Sequence, residues 1–238
     1  MLRGVLFDLD GTLLDIDLSS FFRVYFAALG PVIAEIIGAG EDVLPGLDAL
    51  ASSTDQMTFA HPGLTNREAF NRYFELQTGV DLSAAEHVET LDSFYGEVFP
   101  GLRGAYGPTA GGREALQTAL DLGLCVAIAT HPIFPRAAID ARMRWAGVRD
   151  LPVHVVTSYE NMHATKPDPG YFAETAALLG VDPQEALMVG DDRQLDLAAA
   201  DIGMRTFYVG DDPEAVSDWR GSLHDLARLL PRLVEEGE

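Results

Sequence analysis

The chain is short of positive charge. Its 238 residues carry 16 Lys plus Arg against 37 Asp plus Glu, a formal net charge of −21. Nucleic-acid binding rests on basic side chains that displace counterions from phosphates, so no nucleic-acid partner is expected. An anionic membrane surface is disfavoured for the same reason. Cysteine is nearly absent too. Cys125 stands alone, so no disulfide can form within the chain, and its place in the apolar run Leu124 to Ala129 predicts a buried, inert thiol in a reducing cytoplasm. No uninterrupted apolar run approaches the roughly 18 residues of a spanning helix, and Val5-Leu6-Phe7 is cut by Asp8, so neither a signal peptide nor an anchor is read. Internal repeats and low-complexity tracts are missing as well. Lysine is as scarce as cysteine: of the Lys and Arg residues, every one but Lys166 is arginine.

What is present is enough for a real core, with 47% hydrophobic and 9% aromatic residues. Gly4 to Phe7 reads as a short strand without alternation, which suits a parallel sheet covered on both faces. From about Asp17 the pattern turns helical, with Leu18, Phe21, Phe22, Tyr25 and Phe26 at helix spacing, a stripe that reads chiefly as core. Ser83-Ala84-Ala85-Glu86 has the form of a capping box opening a helix to about Val98. A Gly/Pro-rich return from Pro100 to Pro108 closes this helical stretch. Beyond it strands and helices alternate: helix Ala110 to Leu122, strand Leu124 to Thr130, helix Pro135 to Ala146, strand Val153 to Thr157, and a helix from Pro169. Strand Ala186 to Val189, helix Leu195 to Ile202, strand Arg205 to Val209 and a terminal helix from Ser222 complete the series. Alternation at this spacing predicts an α/β fold, a doubly wound parallel sheet with an inserted all-helical segment. The boundaries are a core of residues 1–14 and 101–238, and an insert of 15–100.

Such sheets place ligands at the carboxyl ends of their strands, and the polar residues gather there. Asp8 and Asp10 follow the first strand, Thr130 ends a later one, Lys166 lies in Lys-Pro-Asp-Pro, and Gly190-Asp191-Asp192 with Asp196 follows another strand. Carboxylates repel a phosphate dianion. They are intelligible beside one only if a hard cation such as Mg²⁺ bridges them. A carboxylate is also a nucleophile that is ionised at pH 7 without a base, and lysine and threonine can hold phosphoryl oxygens as charge redistributes. The pattern fits metal-assisted phosphoryl transfer from a monoester. The bland readings are turn-forming aspartates and a surface lysine. A compact ammonium kept at one position among arginines argues against the second, because a forked guanidinium does not replace it in a tight site. His61, His87, His154, His163 and His224 have no metal-ligand spacing and read as structural or exposed.

Taken together, Asp8-Leu9-Asp10-Gly11-Thr12-Leu13, Ala127-Ile128-Ala129-Thr130, Lys166-Pro167 and Gly190-Asp191-Asp192-Arg193-Gln194-Leu195-Asp196 resemble the haloacid dehalogenase superfamily, in particular its phosphatase branch with a helical cap. The resemblance implies that Asp8 is the nucleophile and a Mg²⁺ ligand, and that Asp10 is general acid, then general base, and gives the metal a backbone carbonyl. It implies that Thr130 and Lys166 bind the phosphoryl group, that Asp191 is the third protein ligand, and that Asp196 supports a metal water or Lys166. Asp192 is a neighbouring carboxylate, either a ligand or the start of a helix. The family commonly has Asn after the threonine, whereas here it is His131, read as a substrate ligand or as a residue whose backbone amide matters more. The insert falls where the cap would be.

The expected activity is Mg²⁺-dependent hydrolysis of a small phosphorylated metabolite through an aspartyl-phosphate. A phosphomutase with the same core chemistry is the alternative, and a non-catalytic phosphate-binding module is a remote one. Residues 15 to 99 hold only Arg23, Arg67 and Arg72 against fourteen acids, which repels polyanions. Arg67, Arg72, Arg23 and His61 are the candidates for recognising a leaving group with its own negative charge.

Overall fold

The computed structural model describes residues 1–235. Its centre is Gly4–Phe7 (β1), buried at every position and paired in parallel with Cys125–Ile128 (β4) on one side and Ala186–Gly190 (β6) on the other. Between β1 and β4 the chain forms Leu14–Asp15 (β2), four helices and Gly107–Pro108 (β3). The helices are Leu18–Ile36 (α1), Leu44–Met57 (α2), Asn66–Thr78 (α3) and Ala85–Ser93 (α4), and Gly112–Asp121 (α5) follows β3. After β4 come Arg136–Trp145 (α6), Val155–Val156 (β5) and Pro169–Leu179 (α7), then β6, Arg205–Tyr208 (β7), Trp219–Arg220 (β8) and Leu223–Glu235 (α8). The parallel sheet runs β5-β4-β1-β6-β7-β8. It is an α/β sheet wound to both sides of β1, as the sequence pattern predicts.

Alternation within the strands divides the core into two layers. Val5, Phe7, Val126, Ile128, Leu187 and Val189 face a cluster shared with α5, α6 and α8. Leu6, Ala127, Met188 and Ala186 face the other side, where Tyr171, Phe172 and Ala176 of α7 cover them. The first layer continues into the helical segment. Phe99 stacks on Trp145 of α6 at 5.5 Å, and Phe21 meets Trp145 edge-on at 6.1 Å.

Two connections tie the helical segment to the sheet. The antiparallel pair β2–β3 joins its two ends, Leu14 opposite Pro108 and Asp15 opposite Gly107. At the start of α3, Asn66 N–H donates to Met162 O and Arg67 N–H to Tyr159 O, both at 2.8 Å. The buried Asn66 Nδ2 donates to Pro132 O at 3.1 Å and Ala164 O at 3.0 Å, so one side chain holds the loops after β4 and before α7.

Several local expectations are corrected. The capping box at Ser83 does not form, because Ser83 amide and hydroxyl both turn back onto Asp81 Oδ1, at 2.8 and 2.6 Å, and α4 begins at Ala85 without a side-chain cap. The reciprocal box closes α3 instead, between Thr65 and Glu68. α4 gives way to a π-helical turn, Phe94–Val98, and a 3₁₀ turn, Phe99–Arg103, rather than running on to Val98. Residues 197–202 form 3₁₀ rather than α-helix. β8 has no counterpart in the sequence reading, since two residues carry no periodicity. α1 is long and apolar enough to cross a membrane by length and composition, with mean hydropathy 1.2. Its Ser19, Ser20 and Arg23 hid this from a search for uninterrupted runs. Phe21, Tyr25, Leu29 and Ile33 are packed into the core cluster. Cys125, expected to be buried, is only half-buried at the edge of β4.

Candidate active site

Asp8 leaves β1 with its amide bonded to Val189 O at 2.9 Å, so the first strand's end is fixed against the strand that delivers Asp191. Lys166 precedes α7 and reaches to the carboxyl end of β1. Its Nζ donates to Asp8 Oδ1 at 2.7 Å and to Asp196 Oδ1 at 2.5 Å. Asp196 Oδ2 accepts from the Asp192 amide at 3.0 Å, and Thr12 Oγ1 donates to Asp191 Oδ1 at 2.9 Å. Thr130, buried two residues beyond β4, is held by its carbonyl, which accepts from Tyr171 OH at 2.8 Å and Thr157 Oγ1 at 3.0 Å. Segments distant in sequence thus converge at the carboxyl ends of β1, β4 and β6, where this sheet topology places ligands.

Two glycines make room for this. Gly11 has φ +88°, a backbone state that favours glycine, and a Cβ there would lie 2.3 Å from Asp191 Oδ2. At Gly190 a Cβ would lie 2.1 Å from Asp196 Oδ2. Gly190→Ala is therefore expected to push Asp196 off Lys166 and cost about 1–3 kcal/mol by overpacking. Urea titration would read this as a lower midpoint, and an unchanged midpoint would contradict the tight fit.

Burial dominates the electrostatics. It would strip the Lys166 ammonium of its proton, but Asp196 and then Asp8 beside it outweigh that and hold its pKa above the usual lysine range. Burial pushes Asp191 up to about 6, with Asp8 adding repulsion. It pushes Asp196 up to about 7 against the pull of Lys166. Carboxylate oxygens of Asp8, Asp191 and Asp196 lie within 4.8 Å of one another. Lys166 alone does not neutralise three such groups, and an all-oxygen donor set suits a hard divalent cation. Asp196 has both oxygens engaged by Lys166 and the Asp192 amide, so Asp8 Oδ2 and Asp191 Oδ2 are the oxygens left for an ion.

The remaining sequence candidates are placed differently. Asp192 is exposed, and its Oδ1 accepts from the amides of Gln194 and Leu195 at 2.7 and 2.9 Å. It caps its own turn. Burial, reinforced by Lys166, lowers His131 to about 4, so its ring is neutral near pH 7, and its buried Nδ1 has no hydrogen-bond partner. Lys166 is not a surface residue at all, with 2% exposure. The other histidines are held by ordinary contacts, His61 to Leu64 O, His87 to Asp81 O, His154 to the Val126 amide, His163 to Glu174 and His224 to Glu114.

Two residues escaped the sequence reading. Thr12, within the first motif, joins that motif to the last. Arg142 was missed outright. It is 1% exposed on α6, pairs through Nη1 with Asp10 Oδ2, and lies 4.3 Å from the centre of the Phe134 ring. A charged side chain on the buried stripe Ala138, Ile139, Ala141, Trp145 was a visible signal. Asp10 Oδ1 and Arg142 Nε and Nη2 are buried without partners. Burial raises the Asp10 carboxyl against the opposing charge of Arg142.

Beside Phe134 a cavity of about 810 Å³ opens between the helical segment and the loops at 133–137 and 159–160. Phe22, Tyr25 and Phe26 of the aromatic stripe line it, so these members face a cleft while Phe21 is core. Of the four candidates for anion recognition only Arg67 reaches its wall. Arg23 bonds Ser20 Oγ, Arg72 is exposed, and His61 lines a separate pocket of about 200 Å³.

The family model described as haloacid dehalogenase-like hydrolase matches residues 2–201. The chain belongs to that family. A curated relative, haloacid dehalogenase-like hydrolase domain-containing protein 3 of Xenopus laevis, is 28% identical over 160 residues, and the match spans 64% of each chain. Among solved structures, the HAD phosphatase of Thermococcus onnurineus is similar at TM-score 0.60 and 22% identity over 96% of this chain and 98% of that one. The L-2-haloacid dehalogenase of Xanthobacter autotrophicus with chloropropionic acid covalently bound is similar at TM-score 0.55 and 16% identity, over 97% and 99%. These two share the fold. The reaction of this family member must be read from its site.

Proposed function

We propose that this haloacid dehalogenase-like hydrolase is a Mg²⁺-dependent phosphomonoesterase of small phosphorylated molecules, working in the cytoplasm, with residues 15–100 as a helical cap over a core of 1–14 and 101–238. The observation that carries the reading is the Lys166 ammonium bonded at once to Asp8 and Asp196 beside Asp191. Dehalogenation at carbon needs neither a second aspartate nor this acidic cluster, so Asp10 and Asp191 favour phosphoryl chemistry.

Asp8 attacks phosphorus through its carboxylate. A P–O bond forms on the carboxylate as the bond to the alcohol breaks, and the alcohol oxygen takes the pair and a proton from Asp10. Thr130 and Lys166 hold the phosphoryl oxygens during transfer. His131, neutral at working pH, offers a dipolar contact at most. Asp10 then takes a proton from water, which attacks the aspartyl-phosphate and frees Asp8. Asp8 and Asp191 side chains with the Asp10 carbonyl would hold Mg²⁺, and Asp192 and Asp196 fix the loop around it. The cation offsets the repulsion between carboxylates and phosphate.

Hydrolysis of p-nitrophenyl phosphate is expected to disappear with chelator and to return with Mg²⁺. Undiminished turnover in metal-free buffer would overturn the reading. In ¹⁸O-water the released phosphate should carry label, whereas recovery of an isomeric sugar phosphate would make the enzyme a mutase.

Mg²⁺ should also stabilise the fold in a pH-dependent way. Asp191 titrates higher folded, at about 6, than its ordinary 3.8, so the folded state binds the extra proton between these values. Its contribution favours folding at low pH and is lost as pH rises through 6. A cation replaces that proton, so millimolar Mg²⁺ should raise Tm more at pH 7.5 than at pH 5. Equal shifts at both would place the ion elsewhere.

A further inference from the structure

We infer that the leaving group is a bulky, ring-containing alcohol without negative charge, seated in the aromatic cavity, an inference that rests on the phosphomonoesterase reading. Position comes first. Phe134 is part of the cavity wall, Arg142 covers its ring at 4.3 Å, and the same guanidinium pairs with Asp10. The group that would protonate the departing alcohol therefore lies one guanidinium behind the cavity wall. In this reading an ester under attack by Asp8 points its alcohol past Asp10 toward this space.

Size and lining come next. A volume of about 810 Å³ is in the range of sites that enclose ligands of many atoms, and a two- or three-carbon alcohol would leave most of it unfilled. Its lining includes Phe22, Phe26, Leu29, Ile33, Leu50 and Leu91. Such walls give ring contacts and no ion pairs.

Charge points the same way. The cationic wall residue is Arg67, exposed at the rim, and the acids are Glu68, Asp92 and Glu160. Glu68 is already engaged by the amide and hydroxyl of Thr65, and Glu160 by the Arg136 amide. Neutral donors leave both carboxylates charged, so the lining sets one cation against three acids, and a net negative wall disfavours an anionic alcohol. Uncharged polar side chains line it as well, Tyr25 and Tyr95 among them. Tyr25 and Tyr95 hydroxyls bond each other at 2.7 Å, and both stay protonated because burial raises them above the ordinary tyrosine range. One proton closes their bond, and the other is left to donate to a neutral ring oxygen.

The test uses primary-alcohol esters, so that the bond broken is constant: ethyl, 2-phenylethyl and 2-(2-naphthyl)ethyl phosphate, with phosphoglycolate as the small anionic control. kcat/KM should climb by about 100-fold from ethyl to naphthylethyl, as apolar surface is buried in a preformed site. Leu91→Trp, which fills the cavity, should erase most of that ratio. Calorimetry with 2-(2-naphthyl)ethanol alone should show binding that Leu91→Trp abolishes. A flat series, or phosphoglycolate turned over faster than naphthylethyl phosphate, overturns the inference and leaves the phosphatase reading intact. If no ester is cleaved, binding of the alcohol retains the cavity assignment while the phosphatase reading falls. Absence of alcohol binding by the native protein removes the assignment.

Discussion

Asp8→Asn should lower kcat by about 10⁴-fold or more, the scale seen when a covalent nucleophile is removed, while Asp10→Asn should fail at a different step. With p-nitrophenyl phosphate, whose leaving group needs little protonation, Asp10→Asn can still transfer phosphate to Asp8. It lacks the base that activates water, so the aspartyl-phosphate should accumulate and be hydrolysed roughly 10²–10⁴-fold more slowly. Acid-quench trapping followed by mass mapping should find one phosphate on residue 8. Phosphate on any other residue would refute the assignment. The structure adds a condition that distinguishes this pair from two equivalent aspartates. Asp8 is bonded to Lys166, whereas Asp10 faces Arg142. Each carboxylate has its own cation, so removing one should leave the other seated. Phosphate accumulating on residue 8 is direct evidence of that independence.

The sheet was legible because its strands are short apolar runs that end in acids. Val5-Leu6-Phe7 before Asp8 and Leu187-Met188-Val189 before Gly190-Asp191 announce both a buried strand and the place where burial stops. Pairwise geometry was not legible, since periodicity says nothing of which distant side chains meet. Thr12 on Asp191, Asn66 across two loops and Arg142 on Asp10 are separated by 179, 66 to 98 and 132 residues respectively. Arg142 still left a trace, because a guanidinium on the buried face of α6 requires a buried anion. The cavity left almost none. The stripe Phe22, Tyr25, Phe26 looks the same in sequence whether it packs against a core or faces a cleft, and only the placement of α1 against Phe134 decides between them. The helix misread at Ser83 shows competition at close range. An aspartate two residues earlier captured the hydroxyl that would have capped α4.

Lys166→Met should abolish turnover and destabilise the fold. Sequence alone, which places a functional lysine in a loop, implies only the first. In the structure Nζ is enclosed, with bonds to Asp8 and Asp196, which are themselves 7% and 1% exposed. Removing one partner of a buried ion pair leaves uncompensated charge, a loss of roughly 3–5 kcal/mol. The loss should depend on pH in a definite direction. Without the ammonium, Asp196 is relieved by taking up a proton, so its folded pKa, already raised by burial, rises further above that of the unfolded chain. The folded variant then holds more protons than the unfolded one at mildly acidic pH, and its stability falls as pH rises. Native Lys166, with its folded pKa raised, contributes in full below the ordinary lysine pKa of about 10.4 and varies little between pH 5 and 8. Guanidinium unfolding should therefore show a larger gap between native protein and Lys166→Met at pH 8 than at pH 5. Lys166→Arg tests shape rather than charge. Its planar fork must fit where a compact ammonium met two carboxylates 2.7 and 2.5 Å away, so it should recover part of the stability and little of the turnover. Full turnover in Lys166→Arg would show that only the charge matters there, and a pH-independent gap in Lys166→Met would show that the two aspartates do not share it.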